Sequence, residues 1–231
     1  MNTICDEIWL VGIGTGNPDH LTGEGRRALQ QAGRVLVPHK GPGKDDLAAL
    51  RMEILRSCHA TARVIPFDMP VRDETLPYQA RVAAWHDAIA TRWQAALAAH
   101  QDVDGPVALL VWGDPGLYDS TLRIADRLRP KPRLRVVPGV TALQALTAAH
   151  AIPFNTVDGP VMVTTGRRLR EGGWPDGAET VVVMLDGQCS FQSLLPEDLH
   201  IWWGGYLGMP NQVLEAGPLA ETAARIIATR A

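Results

Sequence analysis

The sequence feature that most constrains the fold is the run "IWLVGIGTGNPDHLTGEGRRAL", residues 8–29. Ile8 to Val11 has the apolar composition of a buried strand, glycines follow it, and Thr22 precedes a helical pattern that continues to about Ala32. Open α/β sheets bind their ligands at the carboxyl ends of strands, where such glycine loops lie. The run therefore predicts an α/β fold with a ligand site at this loop.

The same loop differs from the dinucleotide-binding pattern. That pattern is G-x-G-x-x-G leading directly into a helix, with an acidic residue about 20 positions later. Here the glycines are Gly12, Gly14 and Gly16, five residues intervene before Thr22, and "PHK" stands where the acid is expected. The spacing argues against a nicotinamide cofactor, although an NADP-dependent oxidoreductase remains an alternative.

The first two thirds of the chain alternate short apolar runs with helical patterns. Strands are predicted around residues 35–37, 64–65, 107–113 and 134–139, and helices from Asp45 and Asp46, from Tyr78 to Ala99 and from Ser120. The longest helix carries an apolar stripe typical of a core-facing surface: Val82, Trp85, Ile89, Trp93 and Leu97. The alternation predicts a parallel sheet with helices on both faces.

After about Thr147 the pattern changes. "PVMVTTG", "TVVVMLDG" and "LHIWWGGYLG" are apolar runs with connections that look too short for helical crossovers, which predicts some antiparallel pairing. A last helix is predicted from Pro218, with Leu219, Ala223, Ile226 and Ile227 on one face. We therefore expect two α/β domains, residues 1–145 and 146–231, the second with a mixed sheet.

Composition excludes several classes of protein. The 231 residues are 46% hydrophobic and carry a net charge of -3, so no basic surface for nucleic acid is expected. No stretch is long and apolar enough for a membrane span, and no signal peptide is recognisable. Cys5, Cys58 and Cys189 lack the paired spacing of a metal or redox site. These observations predict a cytoplasmic protein with reduced thiols, no metal and no membrane partner.

Two further loops resemble the first in following a strand with small residues. "VWGDPGLYDS" places Gly113 and Asp114 after the fourth strand, and "VVPGVTAL" places Gly139 and Thr141 after the fifth. In a parallel sheet all three loops lie along one edge. We expect them to form one site.

In their order along the chain, "VGIGTGNPDHLT", "GDPGLY" and "VPGVTALQAL" resemble the S-adenosylmethionine-dependent tetrapyrrole methyltransferases of the corrin (cobalamin) and sirohaem pathways. Four other strings resemble one subfamily, which methylates carbon 1 of the ring and releases acetate from carbon 11: "HKGPGKDDLAALR", "VMVTTGRRLREGGWP", "VVVMLDGQCSFQ" and "IWWGGYLGMPNQVL". A methylase acting at another ring carbon and an inactive cofactor-binding module remain alternatives.

The resemblance implies two α/β domains with the cofactor in the cleft between them, a homodimer, a tetrapyrrole substrate and S-adenosylhomocysteine as product. It implies that the cofactor contacts Thr15, Gly113, Asp114, Tyr118, Thr141, Ala142, Met184 and Leu185. The chain departs from the family near its end, where Gly205, Tyr206 and Leu207 replace a threonine-proline segment.

Methyl transfer from a sulfonium is an in-line displacement in which positioning supplies most of the acceleration. Asp114 and Tyr118 are the predicted catalytic residues, since a carboxylate could handle a substrate proton and a phenol could cover the cofactor. Asp114, Tyr118 and Met184 each have an alternative interpretation in which the residue is only structural. Asp114 before Pro115 is typical of an Asx turn, Tyr118 could be a packed loop aromatic, and Met184 could belong to the core.

The remaining chemistry concerns acetate loss and substrate charge. Water must reach a ketone-like carbon, and Asp19, His39, Asp114 and Asp186 are candidates for activating it, with none assigned. Arginine forks suit the carboxylates of a tetrapyrrole, so Arg167, Arg168 and Lys40 are predicted to bind substrate; a solvated basic turn is the alternative. Weaker candidates are His39, Lys44, Arg72 and Arg170.

Overall fold

A computed structural model describes residues 5–39, 46–196 and 198–230, and the chain divides into two units, residues 1–141 and 142–231. The first unit contains β1 (Glu7–Gly12), α1 (Gly23–Gln31), β2 (Arg34–His39), α2 (Asp46–Ser57), β3 (Arg63–Asp68), α3 (Tyr78–Ala98), β4 (Val107–Val111), α4 (Thr121–Ala125) and β5 (Arg133–Val137). The second contains α5 (Ala142–His150), β6 (Val161–Thr165), α6 (Gly166–Gly172), β7 (Thr180–Met184), β8 (His200–Gly205), β9 (Val213–Pro218) and α7 (Leu219–Arg230).

The sheet of the first unit has the order β3-β2-β4-β1-β5, and all of its pairings are parallel. Side chains alternate between its faces, as the period of a strand requires. On β1, Ile8 and Leu10 join a core cluster with α3 and α4, whereas Trp9 and Val11 join one with α1 and α2. The predicted parallel sheet with helices on both faces is confirmed.

Helices α1 and α3 agree with the prediction, α1 in its capping residue and α3 in the face that it buries. The Thr22 hydroxyl accepts a hydrogen bond from the Gly25 N–H at 3.0 Å, which caps α1. In α3, Ile89, Trp93 and Leu97 are buried, so its apolar stripe does face the core. Within the described ranges, no helix has the length and apolarity needed to cross a bilayer, α3 included.

Strand pairing in the second unit is antiparallel in part, as the sequence predicts, but one pair is parallel. β6 and β7 pair in parallel, because the segment between them holds α6 and is long enough for a crossover. β8 and β9 pair antiparallel. Instead of one mixed sheet, the described residues form these two separate two-stranded sheets.

The end of the chain corrects two further expectations. Pro218 is the last residue of β9 and not an early helix residue, so α7 begins at Leu219. Leu219 and Ile226 are buried as predicted, but Ile227 is 39% exposed. Neither β9 nor α5 was predicted; β9 lacks an alternating apolar pattern and contains Gly217 at φ +148°.

One buried polar side chain of the first unit is a source of acid sensitivity. His86 in α3 is 3% exposed, and its Nε2 has no hydrogen-bond partner within the described part of the chain. Burial lowers the pKa of His86, and the positive charges of Arg127, Arg123 and Arg72 lower it further. The folded protein therefore favours the neutral form of this ring.

We expect the free energy of unfolding to fall as the pH drops below 6.5, the ordinary pKa of histidine. In that window the unfolded chain binds a proton at His86 more readily than the folded one, so acid favours unfolding. His86→Phe should remove this part of the pH dependence, measured by urea unfolding across the acid side of neutrality. His59→Asn, at an exposed turn, is the control and should keep the wild-type slope. Parallel curves for wild type and His86→Phe would contradict the assignment.

Candidate active site

Three loops meet at the carboxyl edge of the first sheet, after β1, β4 and β5. β1 lies between β4 and β5, so the three loops are neighbours. The backbones of Gly14 and Gly113 form an isolated bridge, in which the Gly113 N–H donates to the Gly14 carbonyl at 2.7 Å. The first two glycine loops are therefore joined directly through their backbones.

The loop after β5 packs tightly against the loops after β1 and β4. A Cβ built on Gly139 would lie 2.1 Å from the Gly113 carbonyl oxygen, and one built on Gly12 would lie 2.6 Å from the Gly139 nitrogen. Real Cβ atoms do not approach backbone so closely, so any side chain at these positions would force the loops apart. The glycines serve the close approach of three backbones.

The segment between these glycines and α1 does not have dinucleotide-binding geometry. Pro18–His20 form a short 3-10 helix capped by the Asn17 side chain, and α1 begins only at Gly23. The helix N-terminus is therefore separated from the glycines, whereas a pyrophosphate site needs them in direct succession. Thr15, in the same segment, makes a 2.8 Å hydrogen bond between its hydroxyl and Nδ1 of His20.

The loop after β4 is organised by Asp114. Its Oδ1 accepts the Gly116 N–H at 2.7 Å, and its Oδ2 accepts the Gly139 N–H at 3.0 Å. The first bond is the Asx-turn contact that the sequence offered as an alternative. Tyr118, in the same loop, has φ +50° and is 38% exposed. A bulky residue in the left-handed region is strained, and such strain concentrates at functional sites.

Thr141 and Ala142 follow the loop after β5. The Thr141 Cα lies 3.6 Å from a Cβ built on Gly113, so Thr141 adjoins the β4 loop. Ala142 is the first residue of α5 and of the second unit. Within the first unit the structure thus brings together the loops that carry five of the predicted residues: Thr15, Gly113, Asp114, Tyr118 and Thr141.

Apart from Ala142, the predicted residues of the second unit lie at the carboxyl ends of β6 and β7. Thr165 is the register partner of Met184, so both strands end at the same level. Arg167 and Arg168 occupy the first turn of α6, which follows β6 directly. Leu185, after Met184, has φ +53° and is 71% exposed. Met184 is only partly buried, so it is not a core residue.

An aspartate also organises the loop after β7. Asp186 Oδ2 accepts the N–H and the hydroxyl of Ser190, at 2.6 and 2.7 Å, and Oδ1 accepts the Gln188 N–H at 3.2 Å. The Arg170 guanidinium lies 3.5 Å from Oδ1. This arrangement gives the carboxylate a structural role in its own loop.

The remaining predicted residues belong to other segments of the chain. Lys40 and Lys44 lie outside the described residues. His39 is the last residue of β2, and its Nδ1 lies 3.4 Å from Oδ1 of Asp68. The guanidinium carbon of Arg72 lies 4.1 Å from the centre of the Trp85 ring. The described residues contain no group of three or more metal-ligating side chains.

One charged residue near the site was missed. Arg51 of α2 is 8% exposed, donates to the Leu110 carbonyl of β4 at 3.4 Å, and stacks at 4.8 Å on Trp112. Burial lowers the pKa of Arg51 to about 10, while the nearby Asp119 opposes the shift. Arg51 precedes the core residue Leu55 by four positions, so the two share one face of α2. This spacing is the sequence signal that could have indicated a buried arginine.

Comparison with known proteins identifies the family. The model of the family "Tetrapyrrole (Corrin/Porphyrin) Methylases" matches residues 7–223. The chain belongs to this family and is a methyltransferase.

Individual relatives agree with this assignment. A precorrin-6A synthase [deacetylating] from Sinorhizobium sp. is 42% identical over 97% of this chain and 88% of its own length. The crystal structure of a cobalamin synthesis related protein (CobF) from Corynebacterium diphtheriae has a TM-score of 0.80 at 35% identity, covering 95% of this chain and 89% of that one. A uroporphyrin-III C-methyltransferase from Thermus thermophilus, complexed with S-adenosylhomocysteine, shares the fold, with a TM-score of 0.61 at 20% identity and coverage of 95% and 86%.

The glycine contact gives a direct test of the site's construction. Gly139→Ala should destabilise the protein by about 1–3 kcal/mol or more, because its methyl group overlaps the Gly113 carbonyl. Gly172→Ala is the matched control, since a Cβ there meets nothing within 4 Å and alanine favours its helix. Urea unfolding measures both, and equal stability of the two variants would contradict the packing.

Proposed function

We propose that this methyltransferase converts precorrin-5 to precorrin-6A, the reaction of a precorrin-6A synthase (deacetylating), adding one methyl group at carbon 1 and releasing acetate. The support from sequence is the 42% identity to the Sinorhizobium protein of that name, which extends over 97% of the chain. The support from structure is the carboxyl edge of the first sheet, where three glycine loops pack backbone against backbone.

The cofactor of the proposed reaction is S-adenosylmethionine. Two features of the chain fit it. Tyr118, in the loop after β4, and Leu185, directly after β7, both expose their side chains from strained backbone, and an adenosine group would cover such surface. Thr15 and Thr141 add hydroxyl groups on the loops that Gly113 joins. The proposed contacts are Thr15, Gly113, Asp114, Tyr118, Thr141, Ala142, Met184 and Leu185.

When bound, S-adenosylmethionine supplies the electrophilic methyl group. The chain's own contribution is orientation, because a partly reduced tetrapyrrole already carries nucleophilic, enamine-like carbons. Loops that touch through their backbones have little freedom to move, so they hold bound groups in a fixed geometry. This suits a site made largely of glycine, hydroxyl and backbone groups.

The proposed substrate contacts include Arg167 and Arg168. Both lie in the first turn of α6, where the positive end of the helix dipole disfavours cations. Anionic groups of the substrate would offset this repulsion, and guanidinium forks bind carboxylates well.

The proposed reaction predicts two products in equal amounts. Purified protein given precorrin-5 and labelled S-adenosylmethionine should yield a tetrapyrrole with one more methyl group and one equivalent of acetate, measured by mass spectrometry. Omitting S-adenosylmethionine is the control and should yield neither. A methylated product that keeps its acetyl group would instead indicate a methylase acting elsewhere on the ring.

Cofactor choice can be tested separately. Calorimetry should show binding of S-adenosylhomocysteine and none of NADP, since α1 begins too far from the glycines to hold a pyrophosphate. Binding of NADP without S-adenosylhomocysteine would favour an oxidoreductase.

The family resemblance also predicts a cytoplasmic homodimer, and light scattering measures its mass.

The arginine assignment predicts a change in KM. Arg168→Ala should raise the KM for precorrin-5 by about tenfold with little change in kcat, as expected for loss of one charged hydrogen bond. Arg92→Ala, an equally exposed arginine on α3, is the control and should leave both constants unchanged. An unaltered KM in Arg168→Ala would assign this side chain to the solvated surface.

A further inference from the structure

The carboxylate of Asp114 bridges two loops of the candidate site. Its bond to the Gly116 N–H, 2.7 Å, closes a turn within the loop after β4. Its bond to the Gly139 N–H, 3.0 Å, reaches the loop after β5, 25 residues further along the chain. Each of its two oxygens thus holds a backbone group of the protein itself.

This bridge acts at the place where the loops are packed most tightly. Gly113 directly precedes Asp114, and its carbonyl oxygen lies against Gly139. The backbone of Gly113 also pairs with that of Gly14. Gly139 leads through Val140 to Thr141, which adjoins Gly113. The bond from Asp114 to Gly139 therefore fixes how far Thr141 stands from Gly113.

We propose that Asp114 is a positioning residue, whose carboxylate sets the spacing between the β4 and β5 loops and transfers no proton in the reaction. This role differs from the acid or base role that the sequence suggested for Asp114, and it leaves the Asp114 backbone, not its carboxylate, as the part that contacts the cofactor. It rests on the proposed function, since it takes S-adenosylmethionine as the group those loops hold. Methyl transfer to an enamine-like carbon needs no base, so a carboxylate occupied by backbone N–H groups is compatible with it.

Two substitutions separate positioning from proton transfer. Asp114→Asn keeps the size of the side chain and one acceptor oxygen, whereas Asp114→Glu keeps the acid but displaces it by one methylene. Positioning predicts that Asn weakens S-adenosylhomocysteine binding by about tenfold, the effect of one charged hydrogen bond, and that Glu weakens it at least as much. The residual kcat of Asp114→Asn should keep the wild-type pH profile.

A proton-transfer role for Asp114 predicts that the Asn variant loses more activity than the Glu variant. Asp114→Glu would then retain much of kcat, while Asp114→Asn would lose it and bind S-adenosylhomocysteine normally, and this result would overturn the proposal. Asp102→Asn is the matched control, because Asp102 pairs with Arg63 at the amino end of β3, at the edge of the sheet opposite the site loops. It should bind S-adenosylhomocysteine as the wild type does.

Hydrogen exchange tests the bridge without any substitution. The Gly139 amide should exchange slowly in the wild-type protein, because its N–H is donated to Asp114, and more slowly still with S-adenosylhomocysteine bound. Fast exchange of this amide in both states would overturn the proposal. Wild-type protein that binds no S-adenosylhomocysteine would defeat the proposed function, whereas wild type and both Asp114 variants binding equally would defeat only the positioning role.

Discussion

Backbone contact among three glycines is the constraint on which the first unit depends. Gly12, Gly113 and Gly139 end or follow β1, β4 and β5, and a Cβ on Gly12 or Gly139 would overlap the neighbouring loop. Such contact is possible only if these three strands are adjacent, as they are in the order β4-β1-β5. The order of the sheet and the shape of the site are thus set by the same atoms, since close-packed backbones cannot adjust independently.

Aspartates accept hydrogen bonds from loop backbones in both units. Loop N–H groups have no strand ladder to satisfy them, and leaving them unpaired when buried is costly. Asp114 supplies acceptors in the first unit and Asp186 in the second, each directly beyond the carboxyl end of a strand. Gly166 lies so close to Asp186 that a Cβ would fall 2.4 Å from its Oδ1. In the proposed reaction, such a chain supplies fixed geometry, and the cofactor and substrate supply the reactive groups.

Much of the first unit could be predicted because its three central strands, β1, β2 and β4, are buried on both faces. Runs such as Val107–Val111 read as continuous apolar segments, and the capping hydroxyl of Thr22 marks the start of α1. The second unit was harder, because its strands are partly exposed and its connections are short. The connection between β6 and β7 looks too short for a helical crossover in the sequence, but a helix of about two turns, α6, suffices for it.

The sequence by itself determined the strand and helix alternation, the three glycine loops and their common edge, and the family that their motifs resemble. These features depend on local periodicity and on residue type, which neighbours in the chain reveal. Only the tertiary structure decided that both oxygens of Asp114 are occupied and that Arg51 is buried beside Trp112. Those facts depend on contacts between residues far apart in the chain, and packing alone sets such distances.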